Sequence, residues 1–135
     1  MSEAYLLDTS AILTLLEDEE GAERVEELLH SSRVLLPFLV PLEVYYVTLQ
    51  KRGEDVADQR YGLLKQLPVE HLWEIDEPVL LTAARFKGRY PLSLADAIIA
   101  AFALRQNAIL VHKDPDFESV GSLVRQEALP YKTRA

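Results

Sequence analysis

The sequence predicts an α/β fold: a three-layer sandwich with helices on both faces of a central, mostly parallel sheet of four to five short strands. Three observations carry this. Apolar runs of strand length recur along the chain. Each is followed by a helix-start or turn signal such as Asp8-Thr9-Ser10, Pro41 or Ser93. The stretches between carry apolar residues at helical spacing. Alternation of this kind gives parallel strands joined by crossover helices. At 135 residues the expectation is one domain spanning 1–135.

Tyr5-Leu6-Leu7 is apolar, stops at Asp8 and reads as a buried strand. Thr9 and Ser10 offer capping hydroxyls for a helix through Ala11-Ile12-Leu13-Thr14-Leu15-Leu16. Gly21 breaks it, and Val25, Leu28 and Leu29 mark the apolar face of a second helix. Val34-Leu35-Leu36 is a strand closed by Pro37. Pro41 suits the first turn of a helix reaching about Arg52. Leu42, Tyr45, Tyr46 and Leu49 form its stripe, which is assigned mostly to the core. Gly53 ends that helix, and residues 54–66 form another with Ala57, Tyr61 and Leu64 on one side.

Val69 to Ile75 reads as a third strand, and Glu77 to Lys87 as a helix through Val79, Leu80, Ala83 and Phe86. Pro91 and Ser93 start the next helix, which carries Ile98, Ile99 and Phe102. Ala108 to Val111 is a fourth strand, Asp114-Pro115-Asp116 a turn, and Leu123 to Arg125 a final short strand. Lys132 to Ala135 are expected to fray.

The formal net charge of -8 argues against a protein that coats nucleic acid through a basic surface. It leaves room for an enzyme that meets nucleic acid through a metal. The absence of cysteine excludes disulfides, thiolate catalysis and the usual structural zinc sites. Met1-Ser2-Glu3-Ala4 lacks the basic and apolar segments of a signal peptide. Asp96 interrupts the longest apolar stretch, so no membrane span is expected. A soluble cytoplasmic protein is the expectation.

Four carboxylates stand where strands end or helices begin: Asp8, Glu43, Asp96 and Asp114. Each has an ordinary reading of its own. Asp8 is a helix N-cap, Glu43 complements a helix dipole, Ser93-Leu94-Ala95-Asp96 resembles a capping box, and Asp114 and Asp116 belong to a turn. The joint pattern says more. In a parallel sheet all four points face one crevice along the carboxyl edge. Acids gathered there need a counter-charge, and hard divalent cations take oxygen ligands. His30, His71 and His112 are scattered, and His112 reads as a strand-end histidine without a metal role.

These motifs resemble those of the PIN-domain family of metal-dependent nucleases, in particular its small VapC-like toxins. The matching pieces are Leu6-Leu7-Asp8-Thr9-Ser10-Ala11-Ile12-Leu13, Glu43 early in a helix, Leu92-Ser93-Leu94-Ala95-Asp96-Ala97-Ile98-Ile99-Ala100, and Val111-His112-Lys113-Asp114-Pro115-Asp116-Phe117. The resemblance implies Mg²⁺ or Mn²⁺ held by Asp8, Glu43, Asp96 and Asp114, with Asp116 as a fifth acid. It implies cleavage of RNA, a cognate antitoxin protein, and Ser10 as the hydroxyl that orders the metal's waters. One position departs from the family: His112 stands where Thr or Ser is common, two residues before the fourth acid.

Arg85, Lys87, Arg89 and Lys113 are candidate contacts to RNA phosphates. A homodimer is expected, with the tyrosine- and leucine-rich stripes as a dimer face or antitoxin groove. The competing reading is a non-catalytic scaffold that binds a protein partner. A haloacid-dehalogenase phosphatase would need a second Asp where Ser10 stands. A receiver domain would need an adjacent acidic pair near the N-terminus, and Asp8 is alone.

Overall fold

The computed structural model describes residues 3–132. Five strands form one sheet: β1 (Ala4–Leu7), β2 (Arg33–Pro37), β3 (Glu70–Leu72), β4 (Ile109–His112) and β5 (Gln126–Ala128). Their order is β3-β2-β1-β4-β5, and every pairing is parallel. Six helices flank the sheet: α1 (Thr9–Leu16), α2 (Ala22–Ser31), α3 (Leu39–Arg52), α4 (Glu54–Gln66), α5 (Glu77–Arg89) and α6 (Leu94–Arg105). α1 packs against α2 and α3, α3 against α4, and α5 against α6.

The central strands are apolar because both their faces are covered. Leu6, Leu7, Leu35, Leu36, Leu110 and Val111 are all fully buried. They join Ile12, Val25, Ile99, Phe102 and Phe117 in one hydrophobic cluster. The order has a functional consequence. The chain leaves β1 toward β2 and β3, then returns to the other side of β1 for β4. The ends of β1 and β4 are therefore the point where the winding reverses, and crevices open there.

Two boundaries differ from the sequence reading. The last strand is Gln126–Ala128, not Leu123 to Arg125. Val124 is buried in the core, whereas the ladder to β4 is made by the polar pair Gln126 and Glu127, whose side chains are held by other elements. The third strand is only Glu70–Leu72, and Trp73 to Asp76 leave the sheet. α3 runs from Leu39 to Arg52 with Pro41 in its first turn, as expected.

The stripe on α3 is a larger correction. Leu42, Tyr46 and Leu49 are exposed, as is Tyr61 of α4. The face turned to the core carries Val40, Pro41, Val44 and Thr48 instead. α3 is apolar on two sides, and the sheet takes only one of them. Lys132, expected to fray, pairs with Glu19 at 3.0 Å, and residues 133–135 lie outside the described ones.

Candidate metal centre

Asp8 follows β1 directly and caps α1, accepting the Ala11 N–H at 2.8 Å. Its own N–H donates to the Val111 carbonyl of β4 at 3.2 Å, which ties it to the neighbouring strand. The Ser10 hydroxyl lies 2.7 and 2.8 Å from the two carboxylate oxygens. The same hydroxyl accepts the Lys113 N–H at 2.8 Å. Ser10 thus links the ends of β1 and β4, the two strands at the reversal point.

Glu43 comes from α3, after β2. It has no cap to satisfy and is held from outside its helix: the Thr9 hydroxyl donates to it at 2.6 Å. Asp96 is in the first turn of α6, where its N–H donates to the Ser93 hydroxyl at 3.1 Å. Asp114 follows β4 and caps the 3-10 turn Pro115–Val120 by accepting the Asp116 N–H at 2.9 Å. The capping roles read from the sequence for Asp8 and Asp114 are therefore real. They describe why each acid sits where it does, without accounting for their gathering.

The electrostatics shows the gathering. Asp8 is only 3 % exposed. Burial pushes its carboxyl up to about 7, against the lowering effect of the bonds from Ser10 and Ala11, and the charges of Asp96 and Asp114 add to the rise. Burial likewise pushes Asp96 up to about 6, and Asp114, Glu43 and Asp116 raise it further. Four chain segments separated by up to 106 residues thus place their acids within each other's field.

None of Asp8, Glu43, Asp96 and Asp114 is in an ion pair among the described residues. Buried like charges without a counter-ion are costly. The donor set is all oxygen, which fits Mg²⁺ or Mn²⁺ and does not fit soft, thiolate-seeking metals. Among the described residues no three acidic or imidazole groups are already drawn together tightly enough to grip one ion.

His112 lies under this site, 1 % exposed. Nδ1 accepts the Asp114 N–H at 3.1 Å, and Nε2 donates to Gln126 Oε1 at 2.9 Å. Burial lowers its pKa, so the ring is held neutral. Sequence reasoning passed over Gln126 and gave Thr9 only a capping role. The adjacency of Thr9 to the first acid was its one available signal; Gln126 had none.

Of the candidate phosphate contacts, Arg85 and Arg89 are exposed on α5 and have no ion pair or hydrogen bond among the described residues. Lys87 Nζ donates to the Leu92 carbonyl at 2.9 Å, just before α6. Lys113 is turned from the acids: its Nζ donates to the Glu20 carbonyl at 2.6 Å and lies 3.9 Å from Glu19.

Away from the acids, Phe38, Pro41, Leu42, Tyr45, Tyr46, Tyr61 and Trp73 line an open cavity of about 590 Å³ between α3, α4 and the chain after β3. Tyr45 and Tyr61 meet edge to face there, and the Tyr45 hydroxyl donates to Asp58 at 2.7 Å. Among the described residues no helix is long and apolar enough to cross a membrane.

The fold is similar to several solved structures. One is VapBC2 from Rickettsia felis bound to a promoter DNA fragment, with TM-score 0.76, 15% identity, and coverage of 94% of this chain and 99% of that chain. Another is VapC20 of Mycobacterium tuberculosis, described as a Sarcin-Ricin loop cleaving toxin, with TM-score 0.69, 16% identity, and coverage of 87% and 95%. A third is VapBC-5 of M. tuberculosis, a member of the VapBC family of toxin-antitoxin systems, with TM-score 0.60, 20% identity, and coverage of 93% and 97%. The family model described as the PIN domain matches residues 5–123. That span takes in all four acids and the strand reversal between them, and the chain belongs to the PIN domain family.

Proposed function

We propose that this chain is a metal-dependent endoribonuclease that hydrolyses RNA phosphodiester bonds, acting as the toxin of a toxin-antitoxin pair. The observation that carries the reading is the set of mutually repelling carboxylates gathered around the buried Asp8 at the β1/β4 reversal point, none of the four in an ion pair among the described residues. Asp8, Glu43, Asp96 and Asp114 would hold Mg²⁺ or Mn²⁺, with Asp116 beside them. A divalent ion bound there supplies Lewis-acid activation of water and charge for the departing oxygen. The protein's part is to hold its acids still and ionised. Ser10 and the Ala11 N–H fix Asp8, and Thr9 fixes Glu43. The N-termini of α1 and α6 add positive potential that favours the charged carboxylates.

Membership of the PIN family and likeness to a Sarcin-Ricin loop cleaving toxin and to a member of the VapBC family of toxin-antitoxin systems support this reading. Arg85 and Arg89, exposed on α5, are left to meet phosphate. The aromatic cavity on α3 and α4 is where a cognate antitoxin or a second copy would lie, in a cytoplasmic protein of one domain.

The test is cleavage of labelled RNA in Mn²⁺ or Mg²⁺ across a panel of structured substrates that includes tRNA. Wild type should cut, leaving 5′-phosphate and 3′-hydroxyl ends if the 3′-oxygen departs, and no 2′,3′-cyclic phosphate, because water-driven hydrolysis does not use the 2′-hydroxyl. Asp8→Asn and Asp96→Asn should abolish the cut while the fold remains. Cleavage that survives both substitutions and EDTA would refute the mechanism. Metal binding with no cleavage of any RNA would favour the non-catalytic scaffold.

A further inference from the structure

The structure assigns His112 and Gln126 a positioning role: together they form a hydrogen-bond relay, with the imidazole buried, that clamps the segment carrying Asp114. The role of Asp114 as a cation ligand rests on the function proposed above; the clamp itself rests on the geometry. β4 ends at His112 and β5 begins at Gln126, on adjacent parallel strands, with His112 paired to Ala128. His112 Nδ1 takes the Asp114 N–H at 3.1 Å. Its Nε2 gives a proton to Gln126 Oε1 at 2.9 Å. The Gln126 amide then donates to the Phe117 carbonyl at 2.8 Å. Two side chains therefore hold both ends of the segment Asp114 to Phe117, which also contains Asp116.

The direction of the chain of bonds is fixed by chemistry. A backbone N–H can only donate, so Nδ1 must be the bare nitrogen. The proton then resides on Nε2 and requires an acceptor, which the Gln126 carbonyl oxygen supplies. That orientation turns the Gln126 amide toward Phe117, whose carbonyl can only accept. Every atom in the relay has one allowed role, and no member can be reversed alone. Phe117 packs on the imidazole with ring centroids 5.0 Å apart, and Tyr131 stacks at 6.2 Å, so the ring cannot rotate freely. Thr or Ser at this position is too short to span from Asp114 to β5. His112 thus brings the edge strand into the support of the acid.

Partners of this kind typically govern metal affinity by about 10- to 100-fold when lost. The test begins with the wild-type protein in EDTA. Two-dimensional NMR of the imidazole nitrogens should show the neutral form with hydrogen on Nε2, and the Asp114 amide should be protected from solvent exchange. Hydrogen on Nδ1, or an unprotected Asp114 amide, would overturn the clamp without touching the proposed nuclease reading.

Variants then separate the two ends of the relay. His112→Asn keeps an acceptor near Nδ1 and should retain Asp114 amide protection. His112→Phe keeps the ring packing and removes both bonds. Gln126→Leu removes the tie to Phe117 from a partly buried edge-strand position. His112→Phe should lose the protection, and both variants should weaken Mn²⁺ binding by about tenfold or more. Full Mn²⁺ affinity in folded His112→Phe and Gln126→Leu would overturn the positioning role. If wild type binds no Mn²⁺ at all, the proposed function fails while the exchange data still judge the relay.

Discussion

Replacing Asp8 by Asn is expected to stabilise the metal-free protein. Asp8 is 3 % exposed, so solvent screens little of its charge. A carboxyl that moves from 3.8 to about 7 on folding opposes folding by roughly 4 kcal/mol above pH 7, at about 1.4 kcal/mol per pH unit. Because the folded state holds the proton more tightly than the unfolded chain, stability falls as pH rises from about 4 to about 7 and then levels. Asn removes this penalty. It keeps the acceptor for the Ala11 N–H, since Asn caps as well as Asp. It loses one favourable approach of the Ser10 hydroxyl, at about 1 kcal/mol. The net expectation is a gain of about 3 kcal/mol at pH 8 in EDTA, shrinking to none or a slight loss below pH 4.

Urea unfolding of both proteins in EDTA at pH 8, 6 and 4.5 reads this directly. Saturating Mn²⁺ should reverse the ranking, because a ligand that binds only the folded state stabilises the protein able to hold it. If Asp8→Asn is the less stable protein at pH 8 in EDTA, or shows the same dependence on pH as wild type, the argument from buried repelling acids is wrong.

Asp96→Asn should raise the metal-free melting temperature by less than Asp8→Asn, since Asp96 is only partly buried, and should blunt the rise that Mn²⁺ produces in wild type; a full Mn²⁺ response by thermal melt would remove Asp96 from the site. Arg60→Met should cost about 2 kcal/mol by urea titration, because it leaves Glu17 and Thr48 without the buried guanidinium that joins α4 to the end of α1 and to α3. Leu42→Ser with Tyr46→Ser should change monomer stability by less than about 1 kcal/mol, since both residues are about half exposed, yet lower association in sedimentation experiments; a large loss of stability would return the stripe to the core.

The sheet was legible in the sequence where burial is two-sided. Leu6-Leu7 and Leu110-Val111 have no polar interruption because they lie at the centre, so their runs are unambiguous. β5 was misplaced because an edge strand needs only a ladder, and Gln126 and Glu127 serve there through their side chains. Asp8, Asp96 and Asp114 stood out because each also obeys a local rule of capping or turn formation, whereas Glu43 lies past the first turn of α3 and obeys none. The supports of these acids were less legible. Thr9 reaches Glu43 across 34 residues and His112 reaches Gln126 across 14, and no local rule encodes such distances. Nor does helical spacing tell which of two apolar faces of α3 the sheet will take. Leu42 and Val44 are equally apolar, and only tertiary packing chooses between them.

The strand order also governs when in the life of the chain the site can exist. β1 ends at Leu7, yet its partner β4 is not made until residue 109, and the clamp on Asp114 waits for Gln126. A nascent chain still on the ribosome carries Asp8 and Glu43 early but has no second wall to set against them. A fragment lacking either β1 or β4 has only one of the two walls. The four-acid centre therefore cannot form until β4 and the turn after it are in place beside β1.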